Sequence, residues 1–186
     1  MKIIAVNRCN VEDCVSSSTI SVYPDSAIIT NSRPFFIPDF LENPVGYAAI
    51  AFRVGRLGKS IPRKFASRYI DAVTVALLTG NRDECGTPQA AVSLPGTVFD
   101  GSILIGKWLT VNESHAITFP EAGITIDSGQ LIEAAEDTIA ELSQYMTLKM
   151  GDIIIPCHDS QQLELHANVD FEFHSGDDIL LTVKPR

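Results

Sequence analysis

The chain has 186 residues, of which 45% are apolar and 20% charged, the balance of one globular domain large enough to bury a core. A net charge of −9 and a pI near 4.8 argue against nucleic acid as a partner, because phosphates need a basic surface. No window approaches the roughly 18 consecutive apolar residues of a membrane-spanning helix, so no membrane partner is expected.

Strand signals dominate in chain order. Lys2 to Val6 is a short apolar run followed at once by Arg8; it is too short for a signal-peptide core and reads as a first strand of a cytosolic protein. Thr19 to Val22 and Ser26 to Thr30 read as strands separated by a Pro24-Asp25 turn. Pro34 to Phe40 carries two prolines and reads as an edge or connecting segment. Ala48 to Val54 is a strand, Gly55 to Lys59 a turn, and Arg63 to Arg68 one or two helical turns behind Pro62. Val73 to Leu78 reads as a buried strand. A helix is predicted from Ser128, its expected cap, to about Tyr145, with Leu131, Ile132, Ala135, Ile139 and Leu142 at helical spacing. A link leads to a strand at Ile153 to Ile155. From Leu163 to His174 apolar and polar residues alternate without a break, which predicts one or two strands with one face in the core. Gly176-Asp177 turns into a last strand, Ile179 to Val183. With no repeat or linker, residues 1–186 read as a single β-rich α+β domain.

The chemistry-bearing residues form no familiar constellation. Cys9, Cys14, Cys85 and Cys157 include no CxxC pair and read as free thiols. His158, His166 and His174 are eight apart. In extended chain that is roughly 26 Å, beyond one coordination sphere, so a solvated polar face is the plainer reading unless a hairpin folds them together. There is no nucleophile elbow and no phosphate-binding glycine loop. Cys157 and His158 are neighbours that an extended strand would point to opposite faces. Six of the fourteen Lys and Arg fall between Arg53 and Arg68, either as an exposed hairpin and helix start or as a binding edge for an anion or an acidic partner.

Several stretches in one order carry a resemblance. MKIIAV, PDSAII, RPFFIPDF, RLGKSI, YIDAVTV, NRD, FDGS and TLKMGD follow one another as in the fumarylacetoacetate hydrolase family. The chain is most similar to its short single-domain bacterial members, the hydroxyheptadienedioate isomerase type. The likeness runs from residue 1 to about 155 and continues weakly to the end. It implies a mixed β-roll with a few short helices and one longer helix near 128–145. It further implies a homodimer and Mg2+- or Mn2+-dependent hydrolysis, decarboxylation or tautomerisation of a β-dicarbonyl or enol acid.

The resemblance also implies which positions carry that chemistry, and here the chain departs from it. The two metal-binding glutamates of a Glu-x-Glu strand fall on Tyr47 and Ala49, and the later metal-binding aspartate on Leu78, ahead of Arg82 and Asp83. The lysine before the Phe-Asp-Gly-Ser run becomes Thr97, followed by Phe99 and Asp100. The catalytic histidine aligns near Asp13, beside Cys14, and the carboxylate-binding loop becomes Pro156-Cys157-His158-Asp159. Hard cations need carboxylate oxygens, so Mg2+ or Mn2+ is not expected to bind and no metal or catalytic residue is assigned. Crowded carboxylates without their metal would repel and be costly to desolvate, and Tyr, Ala and Leu relieve that strain. The expectation is a pseudoenzyme that acts as a binding or regulatory partner, as a homodimer or beside an active paralogue. One alternative is a divergent hydrolase or isomerase with a relocated site drawn from Asp13, Cys14, Cys157, His158 and Asp159. Another is a small-molecule binding protein using an apolar pocket around Tyr47, Ala49 and Leu78. Arg82 and Asp100 complete the pocket candidates.

Overall fold

A computed structural model describes residues 1–8, 18–82, 98–156 and 158–186. Among them the chain runs through β1 (Lys2–Arg8), β2 (Ser18–Pro24), a 3-10 turn (Asp25–Ala27) and β3 (Ile28–Ile29). It continues through β4 (Pro44–Val54), a longer 3-10 segment (Arg63–Tyr69), β5 (Ile70–Asn81), β6 (Ile103–Ile105) and β7 (Leu109–Thr110). Then come β8 (Ala116–Phe119), a 3-10 turn (Pro120–Ala122), β9 (Ile124–Asp127) and α1 (Ser128–Tyr145). The chain closes with β10 (Ile153–Ile155), β11 (His158–Glu164), β12 (Phe171–Ser175) and β13 (Asp178–Val183). This is the expected β-rich α+β architecture with one long helix.

The strands form two sheets. The larger has the order β2-β1-β10-β4-β5-β6-β3, with β11 also paired to β4 and β7 to β5. The smaller has the order β13-β12-β8-β9. At the centre of the large sheet β4 and β5 pair antiparallel over most of their length, from Pro44 opposite Asn81 to Val54 opposite Ile70. Both are longer than their apolar cores suggest, because the pairing carries on into Pro44 and Asn81 at the ends.

β4 explains the charge-free run Tyr47 to Phe52. Ala48, Ile50 and Phe52 join the main core, with α1 residues Ala135, Ile139 and Leu142 and with Phe171, Phe173 and Leu181 of the smaller sheet. Ala49 and Ala51 face the other way, into a second cluster with Ile3, Ala76, Leu78, Ile103 and Ile153. A strand buried on both faces reads as a continuous apolar run instead of an alternating one.

Four expectations need correction. The cap of α1 is Asp127, whose carboxylate accepts from the Gly129 amide at 2.8 Å. The Ser128 hydroxyl instead accepts from the His115 amide, tying the helix start to the preceding loop. The alternation from Leu163 to His174 is broken. Leu163, Leu165, Phe171 and Phe173 are buried, but Ala167 is exposed and Val169 is 55% exposed. Asn168 adopts φ +66°, a conformation Asn tolerates better than most residues, and turns the chain between β11 and β12. The segment Ser26 to Thr30 starts inside the 3-10 turn Asp25–Ala27, leaving only Ile28–Ile29 as strand. Arg63 to Arg68 is helical as expected, but of the tighter 3-10 kind and extended to Tyr69.

Candidate functional site

The register of β4 and β5 brings the three singled-out sheet positions together. Tyr47 lies directly opposite Leu78, and Ala49, two residues further along β4, lies opposite Ala76. Residues two apart on a strand share a face, so Tyr47, Ala49 and Leu78 converge on one patch of the sheet. On the far side of β4, Gln162 pairs with Tyr47 and His158 with Ala49, with a register irregularity between them. His158 therefore reaches the site through its backbone. Ala49 is 1% exposed and Leu78 8% exposed. Tyr47 is half-buried.

The donor chemistry of this patch is sparse. Three side chains offer one neutral hydroxyl and no carboxylate. A divalent cation of the Mg2+ type takes about six oxygens, commonly with at least one carboxylate. Tyr47, Ala49 and Leu78 do not meet that requirement. Among the described residues no three His, Cys, Asp or Glu side chains are grouped so as to hold a metal. His166 and His174 sit apart, each beside a glutamate of its own strand segment: His166 with Glu164 at 3.3 Å, His174 with Glu172 at 3.5 Å.

The charged rim is built next to the patch. Arg82 follows the end of β5, and its amide donates to the Asn43 carbonyl at 2.8 Å. Its guanidinium donates to Gln162 Oε1 at 3.2 Å and to Glu164 Oε1 at 2.5 Å. Gln162 is the residue that pairs with Tyr47, so Arg82 reaches the strand beside the patch, although Tyr47, Ala49 and Leu78 do not line the cavity next to it. The Arg82 hydrogen bond and charge, with a lesser contribution from His166, hold the Glu164 carboxyl below the usual glutamate range. A cavity of about 220 Å3 opens here, lined by Glu42, Asn43, Val45, Arg82, Glu164 and His166 among others. Glu42 and Gln162 were not singled out in the sequence. Gln162 lies 80 residues from Arg82, and only the β4–β11 pairing joins them.

Asp100 is exposed in the turn ahead of β6, three residues before Ile103, the register partner of Leu78. Its neighbour Phe99 is architectural, packed edge-on against Phe40 at 5.3 Å and tilted against Phe35 at 6.5 Å. Ser102, the last residue of the Phe-Asp-Gly-Ser run, is 1% exposed, and its carbonyl accepts from both the amide and the hydroxyl of Thr79. Among the described residues its own hydroxyl has no partner. Asp13, Cys14, Thr97 and Cys157 lie outside the described residues.

Comparison with known proteins agrees with the geometry of the sheet. The family described as fumarylacetoacetate (FAA) hydrolase, C-terminal, matches residues 7–156. No curated protein matches the chain. Among solved structures, the chain is similar to fumarylpyruvate hydrolase from Pseudomonas aeruginosa in complex with Mn2+ and pyruvate, at 18% identity and a TM-score of 0.76, covering 100% of this chain and 89% of that one. It is similar to 5-carboxymethyl-2-hydroxymuconate delta-isomerase from Mycobacterium smegmatis, at 18% identity and a TM-score of 0.77, covering 99% and 78%. It is also similar to 2-hydroxyhepta-2,4-diene-1,7-dioate isomerase from Mycobacterium marinum, at 18% identity and a TM-score of 0.76, covering 99% and 73%. At this identity the likeness is one of fold.

Proposed function

The chain belongs to the fumarylacetoacetate hydrolase family, and on that premise we propose that it is a catalytically inactive member, a pseudoenzyme that serves as a binding or regulatory subunit. The observation that carries this reading is the convergence of Tyr47, Ala49 and Leu78 on one face of the central strand pair without a carboxylate among them. In the family resemblance those positions hold a divalent cation, the Lewis acid that polarises the dicarbonyl. Here the same face belongs to an apolar cluster through Ala49 and Leu78. The fold is retained and the electrophile is not. The protein acts as a homodimer or as a non-catalytic subunit beside an active relative, without Mg2+ or Mn2+.

Isothermal titration with Mg2+ and with Mn2+ tests the proposal. The expected result is no saturable binding up to millimolar metal. Micromolar binding that disappears in a Tyr47→Phe variant would overturn it, because it would place a metal at this face after all.

A further inference from the structure

Six of the fourteen Lys and Arg of this acidic protein cluster in one stretch of chain, and most of those six have no acid partner among the described residues. Residues 53–68 hold six Lys and Arg and no Asp or Glu, while the rest of the chain holds eight cations against 23 acids. Arg53 is engaged by Asp71 at 2.8 Å and lies over the Trp108 ring. Arg63 is engaged by Glu136 and Asp137 of α1. Arg56, Lys59, Lys64 and Arg68 are exposed, and among the described residues no carboxylate lies within ion-pair distance of any of them. Lys149 is in the same condition.

Large apolar side chains stand among these cations. Leu57 is 70% exposed, Tyr145 75%, Met150 74% and Phe65 37%. Lys64 and Arg68 lie over the Phe65 ring at 5.0 and 4.8 Å. Backbone contacts fix the turn at residues 57–61 against two other segments. Gly58 and Leu148 exchange two backbone hydrogen bonds of 2.9 Å, which sets Leu57 beside Lys149 and Met150. The Ser60 amide donates to the Ser143 carbonyl at 2.7 Å and the Ile61 amide to the Ser143 hydroxyl at 2.8 Å, which ties the same turn to the end of α1 below Tyr145. Gly58 has no room for a side chain: a Cβ there would lie 2.5 Å from the Tyr69 ring.

We propose that this surface docks an acidic segment of another protein, one that carries apolar side chains among its carboxylates. Charge complementarity selects the acid, and the exposed Leu, Met, Tyr and Phe select the apolar component, because such side chains supply binding energy when a partner dries them. A second copy of this chain is a poor occupant. A two-fold contact would set cation against cation. An extended polyanion is also disfavoured. Its charge reaches past the patch to a body whose remaining residues are strongly acidic, whereas a short segment stays within about one Debye length, roughly 8 Å, of the cations. The surface lies outside the Tyr47 patch, so the inference stands whether or not that patch has chemistry.

Panning a phage-displayed random peptide library against the full chain tests it, with the double variant Leu57→Ser and Arg68→Glu panned in parallel. Both substitutions are on exposed side chains, and an unchanged melting temperature certifies the variant. The expected result is enrichment of peptides with net negative charge and interspersed apolar residues. Synthesised, they bind the wild type and weaken by about tenfold or more in the variant and on raising the salt. Failure to enrich any sequence overturns the proposal, as do enriched peptides without an acidic excess or equal binding by the variant. So does tighter binding to phosphatidylserine vesicles or single-stranded DNA than to the peptides. If the double variant does not fold, Lys59→Glu with Lys64→Glu is read in its place.

Discussion

Tyr47 and Leu78 are register partners across β4 and β5, with Ala49 two residues along the same face. Cross-strand partners place their Cβ atoms about 5 Å apart, so three carboxylates at these positions could reach one cation. The combined variant Tyr47→Glu, Ala49→Glu and Leu78→Asp therefore has two expected behaviours. Without metal it is less stable than the wild type by about 3 kcal/mol or more, because it crowds unpaired like charges at two positions that are almost fully enclosed and one that is half-buried. With millimolar Mn2+ its melting temperature rises by several degrees, while that of the wild type does not move. Thermal denaturation with and without Mn2+ gives both answers. A destabilised variant that ignores Mn2+ would mean that the face lacks the geometry for a cation even with its carboxylates supplied.

How far the sequence revealed this site depends on the kind of information involved. The apolar run through β4 was visible, but a run does not say which residues share a face with which residues of another strand. The meeting of Tyr47 with Leu78 is a matter of register between two strands, and it follows from family resemblance, not from periodicity. Strands of two to four residues, such as β6, β7, β8 and β9, are too short to show a period of two. They left residues 98–127 unassigned. The alternation across Leu163 to His174 was real in composition, yet the backbone turns at Asn168, where the solvent-facing Ala167 and Val169 mimic a core pattern. Asp127 and Ser128 both cap well and stand side by side, so residue type alone does not choose between them.

Asp152 fixes the start of the chain to its last third. Its side chain is 1% exposed and pairs with the Lys2 ammonium. It accepts from the Lys2 amide at 3.1 Å and the Lys149 amide at 2.8 Å. Asp152→Ala leaves two amides without their acceptor and the mostly covered Lys2 ammonium with the Thr147 carbonyl at 3.1 Å but no carboxylate, and should cost about 3 kcal/mol, whereas Asp152→Asn, which keeps an acceptor oxygen, should cost less. Urea denaturation of both variants measures the difference. Equal costs would mean that the shape of the side chain matters and its charge does not.

Gly46 and Ser102 predict opposite responses to alanine. A Cβ at Gly46 would lie 2.7 Å from Leu77 Cδ1, in a strand pair where Leu77 is fully buried. Gly46→Ala should destabilise by about 1–3 kcal/mol through overpacking. Ser102 holds a buried hydroxyl that has no partner among the described residues, so Ser102→Ala removes a desolvated group and should be neutral or stabilising by up to about 1 kcal/mol. Chemical denaturation of the two variants side by side checks both signs. A marked loss for Ser102→Ala would point to a partner of that hydroxyl beyond the described residues.

The Arg82–Glu164 pair makes part of the stability pH-dependent. The Glu164 carboxyl titrates below its ordinary 4.5 because Arg82 donates to it and faces it with positive charge, with His166 adding a smaller share. A carboxyl whose pKa is lower folded than unfolded stabilises the fold above the unfolded value and loses that contribution as pH falls through the folded value. Arg82→Ala should therefore reduce stability at neutral pH and reduce it progressively less below about pH 4.5, until the variant and wild-type curves meet at low pH. The gap should be small and should shrink with added salt, because both partners are about half exposed. Denaturation midpoints from pH 3 to pH 7 give the curves, and NMR titration of the Glu164 carboxyl in the variant should show its pKa moving up toward the ordinary value. A gap that does not change with pH would assign the role of the Arg82 side chain to its Gln162 contact and packing instead of to the charge on Glu164.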